Sequence, residues 1–200
     1  MDDTYLTIED TATATVTEKR SKFIAFAHPV TSAEEVKEIV QRYRKEYYDA
    51  RHVCWAYMLG AERTDFRSND DGEPSGTAGK PILGQINSNE LTDILIIVIR
   101  YFGGVKLGTS GLIVAYRAAA AEALNEAKIV ERTIDETLHI TFPYLQLNAV
   151  MRVVKEVNPT IVSQNFDTGC EMLLRIRKGE AGKLKELLLK TNMLEIRESV

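Results

Sequence analysis

The sequence predicts an α+β protein of two domains, and three observations lead there. Strand-like and helix-like segments are interspersed along the 200 residues. Nine of the twelve glycines lie between Gly60 and Gly111, and the composition changes after about residue 130. Beyond that point the order is strand, helix, strand, strand, helix, strand, the split βαββαβ pattern of ferredoxin-like domains. A boundary near residue 132 therefore separates a domain of residues 1–132 from one of residues 133–200.

Each element has a local reason. Residues 4–8 and 12–17 alternate threonine with apolar side chains and read as strands. Lys22 to Val30 reads as a third, ended by Pro29. Ser32, three residues before Glu35, is a capping-box pattern. Val36, Ile39, Val40, Tyr43 and Tyr47 follow at helical spacing, giving a helix that ends near Asp49. His52 to Leu59 is a strand closed by Gly60. Residues 61–76 carry Asp, Asn, Gly and Pro and read as a loop. A short helix is expected from about Ala78 to Asn87. Ile94 to Ile99 is apolar at every position, which marks a strand buried on both faces. Gly103, Gly104 and Gly108 break it, and Thr109 or Ser110 is placed to cap a helix running to about Lys128.

In the second domain, Ile134 to Phe142 is a strand and Pro143 suits a helix's first turn. Leu147, Val150, Met151, Val154 and Val157 make an apolar stripe, ended by Asn158-Pro159. Thr160 to Phe166, a turn at Asp167-Thr168-Gly169, and the alternating Cys170, Met172, Leu174 and Ile176 give a hairpin. A helix from Glu180 carries Leu184, Leu187 and Leu188, and residues 194–198 add a last strand.

Composition narrows the function. The longest apolar run is far short of the roughly 20 residues that span a bilayer, and the first residues are acidic and polar rather than signal-like. A cytoplasmic protein with no membrane partner is expected. Two cysteines, Cys54 and Cys170, make no disulfide framework. With three histidines and no paired Cys motif, no metal site and no cofactor are expected. The net charge is -4, so nucleic-acid binding requires a local basic patch. Beyond residue 132, nine acidic and nine basic residues balance, which suits a solvated face.

Two loops carry the candidate chemistry. Gly103, Gly104, Gly108 and Gly111 lie between a buried strand and a helix, where backbone N–H groups can meet an anion. Lys106 sits inside this loop and Arg100 before it. The lysine required after the second glycine of a phosphate-binding P-loop is missing, so a standard nucleotidase is rejected. The same residues also suit a tight strand-to-helix turn. In the second loop, Asp70, Asp71 and Glu73 can hold a divalent cation or divide acid and base roles, or simply cap a turn. His52 and Cys54 share one face of a strand and formally resemble an activated thiolate pair, although no third, orienting group is identifiable. Arg51, Arg100, Lys106 and Arg117, with Tyr101, Phe102 and Tyr116, are a basic-aromatic set suited to RNA.

Three segments run in a fixed order of Gly, Pro and charged residues. They are Asp49-Ala50-Arg51-His52, Asn69-Asp70-Asp71-Gly72-Glu73-Pro74-Ser75-Gly76-Thr77-Ala78-Gly79-Lys80-Pro81, and Arg100-Tyr101-Phe102-Gly103-Gly104-Val105-Lys106-Leu107-Gly108-Thr109-Ser110-Gly111-Leu112. With Lys19-Arg20-Ser21-Lys22-Phe23-Ile24, they resemble the signature blocks of the IMPACT/YigZ family. The chain departs from the usual pattern at Val114, where the family has a basic residue, and at Ser110, where it has a glycine. The resemblance implies an N-terminal domain similar to the second domain of a small-subunit ribosomal protein and to domain IV of elongation factor G. It implies a ferredoxin-like C-terminal domain similar to domain V of that factor.

The implied function is a translation-associated regulator, or an RNA- or ribosome-binding protein, that is not an enzyme. Its partners would be the ribosome, structured RNA or translation-regulatory proteins. The RNA- or anion-binding residues would be Arg51, Arg100, Tyr101, Gly103, Gly104, Lys106, Gly108, Thr109 and Ser110. The cleft would be completed by His52, Asp70, Asp71, Glu73, Gly76 and Thr77. The alternatives are an enzyme acting on a phosphorylated small molecule and a protein-interaction module.

Overall fold

The computed structural model describes residues 3–167, 169–191 and 193–198. It divides into two compact units, Tyr5–Arg132, and Thr133–Val200 together with the first residues of the chain.

The first unit is built on a five-stranded antiparallel sheet. It comprises β2 (Ala12–Glu18), β3 (Ser21–Pro29), β4 (His52–Leu59), β5 (Asp65–Asn69) and β6 (Ile94–Tyr101), in the order β2-β3-β6-β4-β5. Helix α1 (Ala33–Glu46) covers one face. Helices α2 (Gly79–Ser88) and α3 (Gly108–Glu126) cover the other. Strand β6 runs through the middle, so Ile94, Ile96 and Val98 enter the α2/α3 core while Leu95, Ile97 and Ile99 enter the α1 core. All six are fully buried, which is why the run has no polar position. A separate two-stranded sheet pairs β1 (Thr4–Ile8) with β7 (Ile129–Thr133).

Ser32 caps α1, accepting from the Glu35 N–H at 3.2 Å. The Glu35 carboxylate reaches back one residue further than a standard capping box, to the Thr31 N–H at 2.8 Å. Three expectations are corrected. Residues 61–76 are not all loop, because β5 pairs with β4 at the sheet edge. Every residue of β5 is exposed, so it carries no hydrophobic alternation to betray it. Neither Thr109 nor Ser110 caps α3: the helix begins at Gly108, Leu107 occupies the cap position, and among the described residues no side-chain cap bond forms there. Strand β7 follows directly after α3, where the sequence suggested only the end of the helix.

The second unit contains β8 (Asp135–Phe142), α4 (Leu147–Val157), β9 (Thr160–Asn165), β10 (Cys170–Arg177), α5 (Lys178–Leu189) and β11 (Glu195–Glu198). Its antiparallel sheet has the order β11-β8-β10-β9. Cys170, Met172, Leu174 and Ile176 all face the core that α4 and α5 close. Pro143 precedes a 3₁₀ turn rather than opening α4 itself, and Met151 is largely outside the stripe, whose buried members are Val150 and Val154. The expected Asp167-Thr168-Gly169 turn includes Thr168, which lies outside the described residues. Among the described residues, no helix is long and apolar enough to cross a membrane.

Candidate functional site

The site lies at one end of the first unit's sheet. Register places Phe23, Arg100 and His52 side by side on β3, β6 and β4. Neighbouring strands at equal register present their side chains to the same face, so these three share the α2/α3 side. The Arg100 guanidinium carbon stands 5.6 Å from the Phe23 ring centre and 5.7 Å from that of Phe102, in reach of both faces for cation–π attraction. Its Nη1 donates to Glu73 Oε1 at 2.7 Å. Tyr116 donates to the same oxygen at 2.7 Å and stacks edge-on against Phe23. The Arg100 Nε is buried and has no hydrogen-bond partner among the described residues.

The acidic loop is a self-capped scaffold that delivers Glu73 to this place. The Asp70 carboxylate accepts from the Gly76, Ala78 and Gly79 N–H groups at 2.8–3.0 Å. Burial acts to raise its pKa, but these three amides and Lys80 together hold it below the usual carboxylate value. The Asp71 carboxylate accepts from Arg44 and from the Val53 N–H, both at 2.8 Å. Its carbonyl accepts from His52 Nδ1 at 2.8 Å. A carbonyl only accepts, so Nδ1 bears the proton, and Nε2 faces Glu73 Oε2 at 3.8 Å. Thr77 donates to the Pro74 carbonyl at 2.6 Å. Asp70, Asp71, Gly76 and Thr77 thus build the loop, and Glu73 alone of the acidic trio enters the pocket.

Above this floor opens a pocket of about 390 Å³. Arg51, His52, Glu73, Arg100, Lys106, Gly108 and Thr109 line it, along with Pro74, Phe102, Leu107 and Leu112. Three cations face one carboxylate, a formal charge of +2 before His52 is counted. The leading N–H groups of a helix lack partners within it. Those of α3 receive no side-chain cap among the described residues, and they lie at the pocket wall where the helix dipole favours negative charge.

Other expected residues lie elsewhere. Tyr101 is on the opposite, α1-facing side, half-buried, with its hydroxyl donating to Asp49. Burial and that bond push its pKa up to about 12. The Gly103 N–H is occupied by Ser21 Oγ at 3.2 Å. Gly104 and Ser110 are exposed beside the pocket without lining it. Tyr116 is fully buried and offers no stacking face, whereas Phe102 is 52% exposed. Cys54 shares the face of His52 but is sealed in, with its thiol against the Asp70 carbonyl and the Tyr116 hydroxyl. Burial drives the thiol pKa far up, and the carboxylates of Glu73, Asp71 and Asp70 add to the rise. A thiolate nucleophile is therefore not available there. Sequence inspection missed Pro74, Leu107 and Leu112 as apolar walls. It also missed Tyr116 as a ligand of Glu73, since a tyrosine in an alanine-rich helix carries no local sign of its partner.

A two-unit α+β protein with a cation-walled pocket beside a glycine loop is the class that fold and site define. The family description for the Impact N-terminal domain matches residues 19–124. IMPACT family member YvyE of Bacillus subtilis (strain 168) is 32% identical over 182 residues, covering 91% of this chain and 84% of that protein. IMPACT family member YigZ of Escherichia coli (strain K12) is 35% identical over 160 residues, covering 79% and 78%. A crystal structure described as that of a hypothetical protein superposes with a TM-score of 0.78 at 26% identity, covering 100% of this chain and 99% of that one. The chain belongs to the IMPACT family.

Proposed function

We propose that this chain is a non-enzymatic, translation-associated RNA-binding protein of the cytoplasm that takes a phosphate of ribosomal or other structured RNA in the pocket. The observation that carries this is Arg100. It is a guanidinium more than nine-tenths buried, with one N–H group unmatched, on the floor of a pocket whose rim holds Arg51 and Lys106. The pocket sets three cations against one carboxylate, and a phosphate oxyanion is the chemistry that balances them. Phe102 supplies an exposed ring on which a base can stack. The likeness of the first unit to a ribosomal-protein domain, and the ferredoxin-like character suggested by the second unit's strand order, belong to the same reading.

The test is binding of a structured ribosomal RNA fragment in a salt titration, with inorganic phosphate as competitor. Wild-type protein is expected to bind at low salt, lose affinity as salt rises, and be displaced by phosphate. Arg51→Ala and Lys106→Ala, both at exposed positions, should each weaken binding about tenfold. No binding at low salt, or binding indifferent to both substitutions, overturns the proposal. An interaction with protein alone would survive ribonuclease treatment and both substitutions.

A further inference from the structure

Strands β2 and β3 are joined by a turn of two residues, Lys19 and Arg20, closed by the Glu18–Ser21 pair. Both turn residues have positive φ, 44° and 70°. Two-residue hairpins need that geometry and normally meet it with Asn-Gly or Gly-Gly. A side chain bearing a β-carbon is strained there by about 1–2 kcal/mol per residue. The sequence instead places two long cations in the turn.

The turn is fixed against the pocket's own loop. A β-carbon on Gly103 would lie 2.0 Å from the Arg20 carbonyl carbon and 2.1 Å from its oxygen. Only glycine permits this approach, and the Gly103 N–H anchors it to Ser21 Oγ. Lys22 pairs with Tyr101 and Phe23 with Arg100, and Arg100 pairs in turn with His52. The hairpin tip, the glycine loop and Arg51 therefore all lie at one end of the sheet. With neighbouring strands about 5 Å apart, the tip lies roughly 12 Å from the start of β4.

Lys19, Arg20, Arg51 and Lys106 are exposed. None has an ion-pair partner among the described residues. Three carboxylates at this end are already engaged: Asp49 by the Tyr101 hydroxyl, Asp71 by Arg44, and Glu73 by Arg100. Glu18, at the closing pair of the turn, is half-buried. An unneutralised basic strip on a chain of net charge -4 is a local feature, not a consequence of composition.

We propose that the Lys19-Arg20 hairpin tip extends the pocket into a track for several successive phosphates, so that the ligand is an RNA strand rather than a mononucleotide or free anion. This rests on the pocket reading above. The strain at the turn is retained because the cations, not the turn geometry, are what the position supplies.

The decisive protein is the double variant Lys19→Asn/Arg20→Gly, which gives the hairpin the residues its geometry favours. Its urea midpoint should rise. Its affinity for a structured RNA of about 20 nucleotides should fall tenfold or more at low salt. The slope of log K against log salt should become shallower by about 1.4–1.8, the change expected when two phosphates are no longer neutralised. Its binding of inorganic phosphate should match wild type. An unchanged salt slope and affinity in this variant, while Arg51→Ala and Lys106→Ala still weaken RNA binding, overturns the track and leaves the pocket standing. Absence of RNA binding by the wild-type protein overturns both.

Discussion

Arg100 and Glu73 form an ion pair at 2.7 Å with both side chains more than nine-tenths buried. Removing two charges from water costs several kcal/mol per ion. Here the return comes from the pair itself, from the Tyr116 hydroxyl on the same carboxylate oxygen, and from the Phe23 and Phe102 rings beside the guanidinium. Such a pair is weak evidence for stability and better evidence for position. Arg100→Ala should therefore destabilise the protein by about 3–5 kcal/mol, because it leaves Glu73 charged and buried. The double replacement Arg100→Met/Glu73→Leu should recover most of that loss while abolishing RNA binding. Urea midpoints followed by Trp55 fluorescence, set beside RNA affinity, separate the two effects. Equal stability losses in the single and double variants would contradict this account.

Cys54 should be inert in the native protein. Its thiol is fully buried, donates to a carbonyl, and is held far from ionisation by burial and nearby carboxylates. Thiolate is the reactive form. A thiol-specific chromogenic disulfide reagent at pH 8 should therefore titrate Cys54 only after unfolding. Cys170, also buried, should follow the same pattern. Fast labelling of Cys54 in the folded protein would reopen a catalytic role for the His52–Cys54 face.

How much of this was legible in the residues depends on what kind of signal each element carries. The buried strand Ile94 to Ile99 and the helix opening at Ser32 announce themselves, because burial on two faces and end-capping leave local chemical patterns. The exposed edge strand β5 leaves none: its pairing is made by backbone groups, and its side chains face water. The pocket was half legible. Arg51, Arg100, Lys106 and the glycine loop fall within one stretch of motifs. The division of labour among Asp70, Asp71 and Glu73 was hidden, because three neighbouring carboxylates look alike until the chain path turns two of them onto backbone amides. The strained Lys19-Arg20 turn was visible only as a basic dipeptide, since φ is fixed by the Glu18–Ser21 pairing and by Gly103.

Asp70 offers a test of the scaffold separately from the pocket. Its carboxylate satisfies three amides at the entrance to α2, where no residue at the cap position bonds through its side chain. Hydrogen bonds to a charged group contribute about 1.5–3 kcal/mol each, and loop relaxation recovers part of what is lost. Asp70→Ala should destabilise by about 2–3 kcal/mol, and Asp70→Asn by less, since its amide oxygen can still accept. Because the folded pKa is lowered, this stabilisation is present above the unfolded value near 3.8 and is lost as pH falls below it. Urea denaturation of both variants at pH 7 and pH 3 checks the order and the direction.

His28 gives the clearest pH signature in the first unit. Its ring is buried, with Nε2 2.8 Å from the Tyr43 hydroxyl and Nδ1 3.1 Å from the Thr11 hydroxyl. Burial, reinforced by Arg42 and opposed by Glu35, lowers its pKa from 6.5 to about 4. Above pH 6.5 the ring is neutral whether the chain is folded or not, and its protonation has no bearing on stability. Below that, the unfolded chain takes up a proton that the folded ring refuses. Stability then falls with pH until the ring itself titrates near 4, and the total loss is about 3 kcal/mol at about 1.4 kcal/mol per pKa unit. Urea midpoints read by Trp55, the one tryptophan, should drop between pH 7 and pH 4.5 in wild type. They should drop much less in His28→Gln, which lacks the titrating group while keeping a donor and an acceptor. Parallel pH profiles for the two proteins would show that His28 is not the residue responsible.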